Sequence, residues 1–377
     1  TVFFSVATNP IRRQRGGASG LLETLWPNLE KIVVVENRMS ATALQADIVL
    51  PAAMQYERPN LQYAITHSFS IGYSEQAVKP QGDAKTEWEI FELLSKAVEA
   101  KAIEMDCEEY QDGRKQTRSF VGLGARYTLN DLYEKEEDII DEFLQDSAEA
   151  GTLPQGASLA YMKENGTMRF SGLGLFAPGL SLATDVKEDE PVTAYTWHVD
   201  KGVPFPTLTR RAQFLIDHPW FAEADEDMVR HKNPPKQGGD YPFLLTSGHS
   251  RWSVHASSMG NSILAETHRA EPLAVIYQGD ADNLGINDGD LIQLSNDRGE
   301  VEIRAKVTGR IHPGQVIVYN GWEPHMFKDW IGPNQVEPGM VKWLHLVSRY
   351  GHLRYLPFGW QPVPADRAVY IDIKKVA

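Results

Sequence analysis

Two imidazoles and a guanidinium, those of His249, His255 and Arg251, share one short run, Thr246-Ser247-Gly248-His249-Ser250-Arg251-Trp252-Ser253-Val254-His255. Groups of this kind ligate a metal, hold an anion or meet a heterocycle through directional donors. Metal is the weakest of the three: the spacing of His249 and His255 is not that of a ligand pair on one helical turn, and no cysteine stands near. Contacts to an anion or heterocycle, and histidines satisfied within the protein, both remain open from the residues alone.

The elements that must carry this run follow it directly. Asn287-Asp288-Gly289-Asp290 supplies the positive-φ residue a tight hairpin turn needs, and Leu291–Ser295 then alternates as a half-buried strand. Val301–Val307 alternates as well, and Gln315–Tyr319 follows the Pro313-Gly314 turn. The stretch from Asp280 to Gly314 therefore reads as short strands joined by Asp-Gly and Pro-Gly turns, with little room for helix. A last strand is expected at Ala368–Ile373, after a polar loop at Asn320–His325 and a turn at Pro333–Gln335. Such a chain leaves a β-barrel and returns to close it, placing the loops at its mouth.

The N-terminal part reads differently. Apolar runs at Val2–Ala7 and Lys31–Glu36 alternate with helical patterns, and Glu87–Val98 sets Trp88, Phe91 or Leu94, and Val98 on one helical face. Strands separated by helices imply a parallel α/β sheet. The expected organisation is an α/β region over 1–150, a Gly- and Pro-rich connection over 151–239 and a barrel over 240–377. Within the connection, Gly172–Gly179 reads as an ordered loop, and Asp217-His218-Pro219-Trp220-Phe221 as the cap of a short helix or a barrel contact. The acidic run Glu134–Glu142 reads as a solvated helix face.

Composition narrows the function. A net charge of −14 argues against a nucleic-acid partner, which would require a basic footprint. No run of 18 apolar residues offers a membrane span. A lone cysteine, Cys107, excludes an intrachain disulfide and any all-cysteine iron–sulfur cluster held by this chain alone.

Taken together, these residues resemble the C-terminal portion of the molybdopterin oxidoreductases, the dimethyl sulfoxide reductase family. The resemblance is carried by Thr8-Asn9-Pro10 after the first apolar run, by Thr42-Ala43 followed by Ala46–Ala52, and by the His249–His255 loop. It tightens at Thr207–Phe221 and Leu346–Tyr355 toward a subgroup of nitrate, selenate, chlorate and perchlorate reductases, dimethyl sulfide dehydrogenase and ethylbenzene dehydrogenase. It implies a catalytic subunit carrying molybdenum on a bis(molybdopterin guanine dinucleotide), bound by an α/β domain and a double-psi type barrel. The implied activity is two-electron oxygen-atom transfer or hydroxylation in anaerobic respiration or catabolism.

The family's iron–sulfur cysteine motif, molybdenum ligand and most of its substrate funnel have no counterpart here. They are expected in an N-terminal half lying outside these 377 residues, whether through truncation, a split gene or an incomplete sequence. Implied partners are that half, an iron–sulfur electron-transfer subunit and in many cases a haem b subunit, with a periplasmic location. The rival readings are a noncatalytic cofactor-binding or assembly module, and an interaction barrel unrelated to redox work.

A pterin guanine dinucleotide offers a purine edge, a pyrophosphate and a polar tricycle, and each asks for different residues. The resemblance assigns Asn9, Glu36 and Asp47 at strand ends to the nucleotide. Backbone donors around Ser40 to Thr42 suit phosphate oxygens, and Arg12, with Arg13 and Arg15, suits a diphosphate or a subunit contact. Ser247, His249, Arg251, Trp252 and His255 would meet the pterin, with Asn320, Asn334, His345 and His352 completing the pocket. No catalytic acid, base or nucleophile stands out, and no metal ligand is assigned.

Overall fold

The computed structural model describes residues 1–376 apart from 14–16, 64–68, 172–181, 188–189, 208, 213, 217–218, 224–226, 229–230, 232–236, 258 and 338–368. His345 and His352 lie outside the described residues, as do Arg15, the Leu346–Tyr355 segment and the whole of Gly172–Gly179. The chain divides into two compact units: Thr1–Val49 with Arg230–Ala377, and Leu50–Val229. This grouping runs along different lines from the consecutive segments 1–150, 151–239 and 240–377. Its physical basis is a set of buried hydrogen bonds between the first strand-end turns and a late barrel loop.

In the first unit, β1 (Val2–Val6) pairs in parallel with β2 (Lys31–Glu36), Val2 opposite Lys31 and Val6 opposite Val35. β3 (Ile48–Pro51) completes a three-stranded sheet in the order β1-β2-β3. The β-branched run Ile32–Val35 is buried throughout, as a strand covered on both faces requires. Short helices α1 (Pro10–Arg13), α2 (Gly17–Thr24) and α3 (Ala41–Leu44) fill the connections. Ile11, Ala18, Trp26, Ile32, Val34 and Ala41 form their common core.

The same unit holds a closed six-stranded barrel. Its strands are β9 (Phe243–Thr246), β10 (Leu273–Tyr277), β11 (Leu291–Asn296), β12 (Gly299–Thr308), β13 (Gln315–Val318) and β14 (Val369–Lys375), in the order β10-β12-β11-β14-β9-β13. Alternation drives it: Ile292 and Leu294, then Val301, Ile303 and Ala305, then Val369, Ile371 and Ile373 point inward and are all buried. One expectation fails here. Residues Gln278–Leu284 form a helix, stopped by Gly285 in the left-handed region at φ 65°. In the polar turn-like string Asp280-Ala281-Asp282-Asn283, Asp282 and Asn283 are exposed, Asp280 is half-buried and accepts from Gly314 N–H at 2.7 Å, and Ala281 is fully buried.

The second unit pairs β4 (Asn60–Tyr63), β5 (Ser70–Ser74) and β8 (Thr167–Arg169) antiparallel, beside a two-stranded ribbon of β6 (Glu109–Gln111) and β7 (Thr117–Ser119). The helix expected at Glu87–Val98 runs to Glu104 and starts in a full capping box: Glu89 N–H donates to Thr86 Oγ1 at 3.2 Å, and Thr86 N–H donates to Glu89 Oε2 at 2.9 Å. Its fully buried positions are Ile90 and Ala102, with Trp88, Phe91, Leu94 and Val98 half-buried. The acidic run is only partly a solvated face. Glu136 pairs with Arg58 at 3.4 Å and burial raises its pKa, while Lys163 and Tyr73 bind Glu137. A helix at Pro219–Glu223 comes after Asp217-His218, two residues outside the described set.

Candidate functional site

The ends of β1 and β2 carry the first set of candidate residues. Asn9 is 7% exposed, and both ends of its carboxamide are engaged. Its Oδ1 accepts from Thr42 Oγ1 at 2.8 Å and Thr42 N–H at 3.3 Å, and its Nδ2 donates to both oxygens of Glu323, at 2.8 and 3.1 Å. The start of α3 is likewise satisfied from within: Ala41 N–H donates to Glu323 Oε2 at 3.1 Å and Ala43 N–H to Ser40 Oγ at 3.3 Å. The donors expected to meet phosphate around Ser40 to Thr42 therefore serve the protein itself. Ala41 gives its N–H to the Glu323 carboxylate on the barrel loop, and Thr42 gives its N–H to Asn9.

Glu323 was not foreseen, nor was Arg38, whose guanidinium lies 2.8 Å from Glu323 Oε1. The one signal for Glu323 was an acid between Trp322 and Pro324 in the loop Asn320–His325. Arg12, a foreseen residue, donates through Nε to the Trp322 carbonyl at 3.1 Å, and Asn334 Nδ2 donates to the Arg12 carbonyl at 2.5 Å. Burial lowers the Arg12 pKa, as do the neighbouring Arg38 and Arg13 charges, against the opposing pull of Glu323. Glu36 accepts from Asn37 N–H at 3.0 Å at the end of β2. Asp47 instead stitches the sheet, accepting from Ile32 N–H at 2.7 Å with Lys31 at 3.7 Å.

The second set lies on the loop leaving β9. Ser247, His249, Arg251, Trp252 and His255 are all exposed there. His249 and His255 meet edge-to-face at 4.8 Å, Arg251 lies 5.2 Å from the Trp252 ring centre, and His268 stacks on Trp252 at 4.6 Å. His268 was also missed. Asn320 ties this loop down: its N–H donates to the Gly248 carbonyl at 2.9 Å and its Nδ2 lies 3.5 Å from His255 Nδ1.

Three residues of the stretch Asn320–Glu323 thus join the two sets. Asn320 touches the histidine loop, Trp322 holds Arg12, and Glu323 holds Asn9, Arg38 and α3. Chemically, the assembly offers guanidiniums for an anion and ring donors for a polar heterocycle. No group of three or more His, Cys, Asp or Glu among the described residues is arranged to hold a metal ion.

The fold and site define a mixed α/β protein with a closed barrel whose loops bond to the strand ends of a small sheet. Residues 4–97 match the family described as Molybdopterin oxidoreductase, and residues 243–344 match the Molydopterin dinucleotide binding domain. The chain belongs to the molybdopterin oxidoreductase family. It is 31% identical to the respiratory nitrate reductase subunit alpha of Haloferax mediterranei, over 96% of this chain and 38% of that protein. It is 32% identical to the perchlorate reductase subunit alpha of Dechloromonas aromatica, over 96% and 38% of the two chains. With the dimethylsulfide dehydrogenase subunit alpha of Rhodovulum sulfidophilum the identity is 29%, over 98% and 40%. The chain thus spans about two fifths of the length of the curated relatives it matches. A solved structure of acetylene hydratase from Pelobacter acetylenicus shares the fold with a TM-score of 0.57 at 19% identity, covering 85% of this chain and 37% of that one.

Proposed function

We propose that this chain is the C-terminal part of the catalytic subunit of a molybdenum oxidoreductase, and that its first unit anchors the nucleotide tails of a bis(molybdopterin guanine dinucleotide). The observation that carries the reading is the Asn320–Glu323 stretch, which gathers the strand-end guanidiniums and the His249–His255 loop onto one support. The donor set fits such a group: Arg12 and Arg38 are cationic partners for a diphosphate, and His249, Arg251 and His255 are exposed ring and fork donors for a pterin. When bound, the group supplies two-electron oxygen-atom transfer or hydroxylation. The residues here bind and orient. Asn9 and Thr42 hold the strand-end turns, Glu36 ends β2 beside them, Ser247 begins the histidine loop, and Trp252 offers a stacking face; Asn334 fixes the α1 backbone.

The barrel, with two parallel and four antiparallel pairings, is assigned to the double-psi type, and the parallel β1–β2 edge to a dinucleotide-binding sheet. The partners that complete the enzyme are a polypeptide equivalent to the remainder of its relatives, an iron–sulfur electron-transfer subunit and a haem b subunit, in the periplasm. Acid hydrolysis and metal analysis of the protein isolated in its native complex test the reading. Molybdenum with guanine nucleotide in a one-to-two ratio is the expected result. Nucleotide without molybdenum would make the chain a noncatalytic cofactor-binding or assembly module, and absence of both would overturn the reading.

A further inference from the structure

Glu323 is 1% exposed, and a buried carboxylate is costly unless it is paired. Among the described residues it has three partners: Asn9 Nδ2, the Arg38 guanidinium and Ala41 N–H. A second guanidinium stands beside the pair, since Arg12 is bound to the carbonyl of Trp322, the residue before Glu323. Arg12 gives its Nε to the carbonyl of Trp322, the residue beside Glu323, and its two terminal nitrogens have no hydrogen-bond partner among the described residues. Adjacent backbone and side-chain acceptors therefore fix two guanidiniums that arrive from different loops, one on α1 and one after β2.

An Arg held through Nε keeps its terminal nitrogens for an oxyanion, and a second Arg held by a buried carboxylate loses the rotamer freedom it would otherwise surrender on binding. We propose that Glu323 is a positioning residue: it fixes Arg38 and the Asn9 turn so that Arg12 and Arg38 form a preorganised clamp for a diphosphate-class anion. The clamp rests on the reading that the first unit binds a dinucleotide. Its distinguishing feature is that a negative side chain strengthens the binding of a negative ligand.

Placement and charge make opposite demands here. By charge alone, Glu323→Gln removes a repulsion and tightens anion binding. By placement, the same change weakens it, because a carboxamide must turn its N–H₂ either toward the Asn9 and Ala41 donors on one oxygen's side or toward Arg38 on the other, and it gives up the charge that holds Arg38. The measurement is calorimetric titration of inorganic diphosphate into the native complex stripped of its cofactor. The parent, Glu323→Gln, Glu323→Asp, Arg12→Gln and Arg38→Gln forms are compared at low and moderate salt, with near-ultraviolet circular dichroism as the check on folding.

The expected result is a loss of about tenfold in affinity for Glu323→Gln, Arg12→Gln and Arg38→Gln, with partial return in Glu323→Asp. Binding as tight as the parent or tighter in folded Glu323→Gln overturns the proposal. Should that variant fail to fold, Arg38→Gln decides, since Glu323 keeps Asn9 and Ala41 there; an unchanged affinity overturns the clamp. The outcomes separate from those of the functional reading. Diphosphate binding that depends on Glu323 and Arg38 in a protein whose native complex holds no guanine nucleotide sustains the clamp and removes the dinucleotide. Guanine nucleotide present, with diphosphate binding indifferent to both residues, removes the clamp alone.

Discussion

Asn9→Asp changes one atom of the buried junction from donor to acceptor, directly against a carboxylate. Asn9 Nδ2 lies 2.8 and 3.1 Å from the two oxygens of Glu323. A second carboxylate in its place sets two negative charges about 3 Å apart, a repulsion of roughly 5 kcal/mol at an effective dielectric of about 20. Taking up a proton limits that cost. Protonating a carboxyl whose ordinary pKa is about 4 costs about 4 kcal/mol at pH 7, and the protonated side chain can again donate to Glu323. The pair's pKa is therefore raised in the folded state, which keeps a proton the unfolded chain releases. The variant's stability is fully present below about pH 4 and is lost, at about 1.4 kcal/mol per pH unit, as pH rises toward the folded pair's pKa. Urea unfolding of parent and variant between pH 5 and 8 should show a gap of about 4 kcal/mol at pH 7 that narrows to about 1 kcal/mol near pH 5. Deuterium uptake at the Ala41 and Thr42 amides should rise in step. An equal gap at both ends of the range, or none, would refute the placement of Asn9 against Glu323.

Leu294→Ala empties part of a barrel core in which Leu294 is 0% exposed among Ile292, Val301 and Ile373; a loss of about 2–5 kcal/mol is expected in urea unfolding monitored at the barrel, and a loss under 1 kcal/mol would contradict this packing. Thr86→Ala removes the side-chain half of the capping box on Glu87–Glu104; it should cost the second unit about 1 kcal/mol, read from the unfolding transition reported by Trp88, whereas Thr86→Ser should cost little.

Legibility tracked how local the governing physics was. Leu291–Ser295, Val301–Val307 and Gln315–Tyr319 were readable because one face of each strand is buried and the other wet, and the observed strands Leu291–Asn296, Gly299–Thr308 and Gln315–Val318 agree within a few residues. The helix at Gln278–Leu284 was obscured because a seven-residue helix with only Ala281 buried has almost no apolar stripe, so its polar residues imitate a turn. The histidine loop could be picked out by residue type, but its support by Asn320 and its stack onto His268 could not, since neither leaves a periodic trace. Asn9 and Thr42 were singled out for their hydrogen-bonding capacity, and in the structure that capacity is met by protein groups. Glu323 stayed hidden because its meaning depends on partners far away in sequence, and a single acid in a Pro-containing loop looks like ordinary surface.

The pairing of Asn9 with Glu323 spans 314 residues. At a synthesis rate of roughly 5–20 residues per second, the carboxamide waits roughly 15–60 s on the ribosome before its acceptor exists. Until then β1 and β2 can zip together, but the turns that crown them stay wet and unfastened. The first unit is consequently a late assembler with high contact order, whereas Leu50–Val229, continuous in the chain, is free to fold while the barrel is still being made.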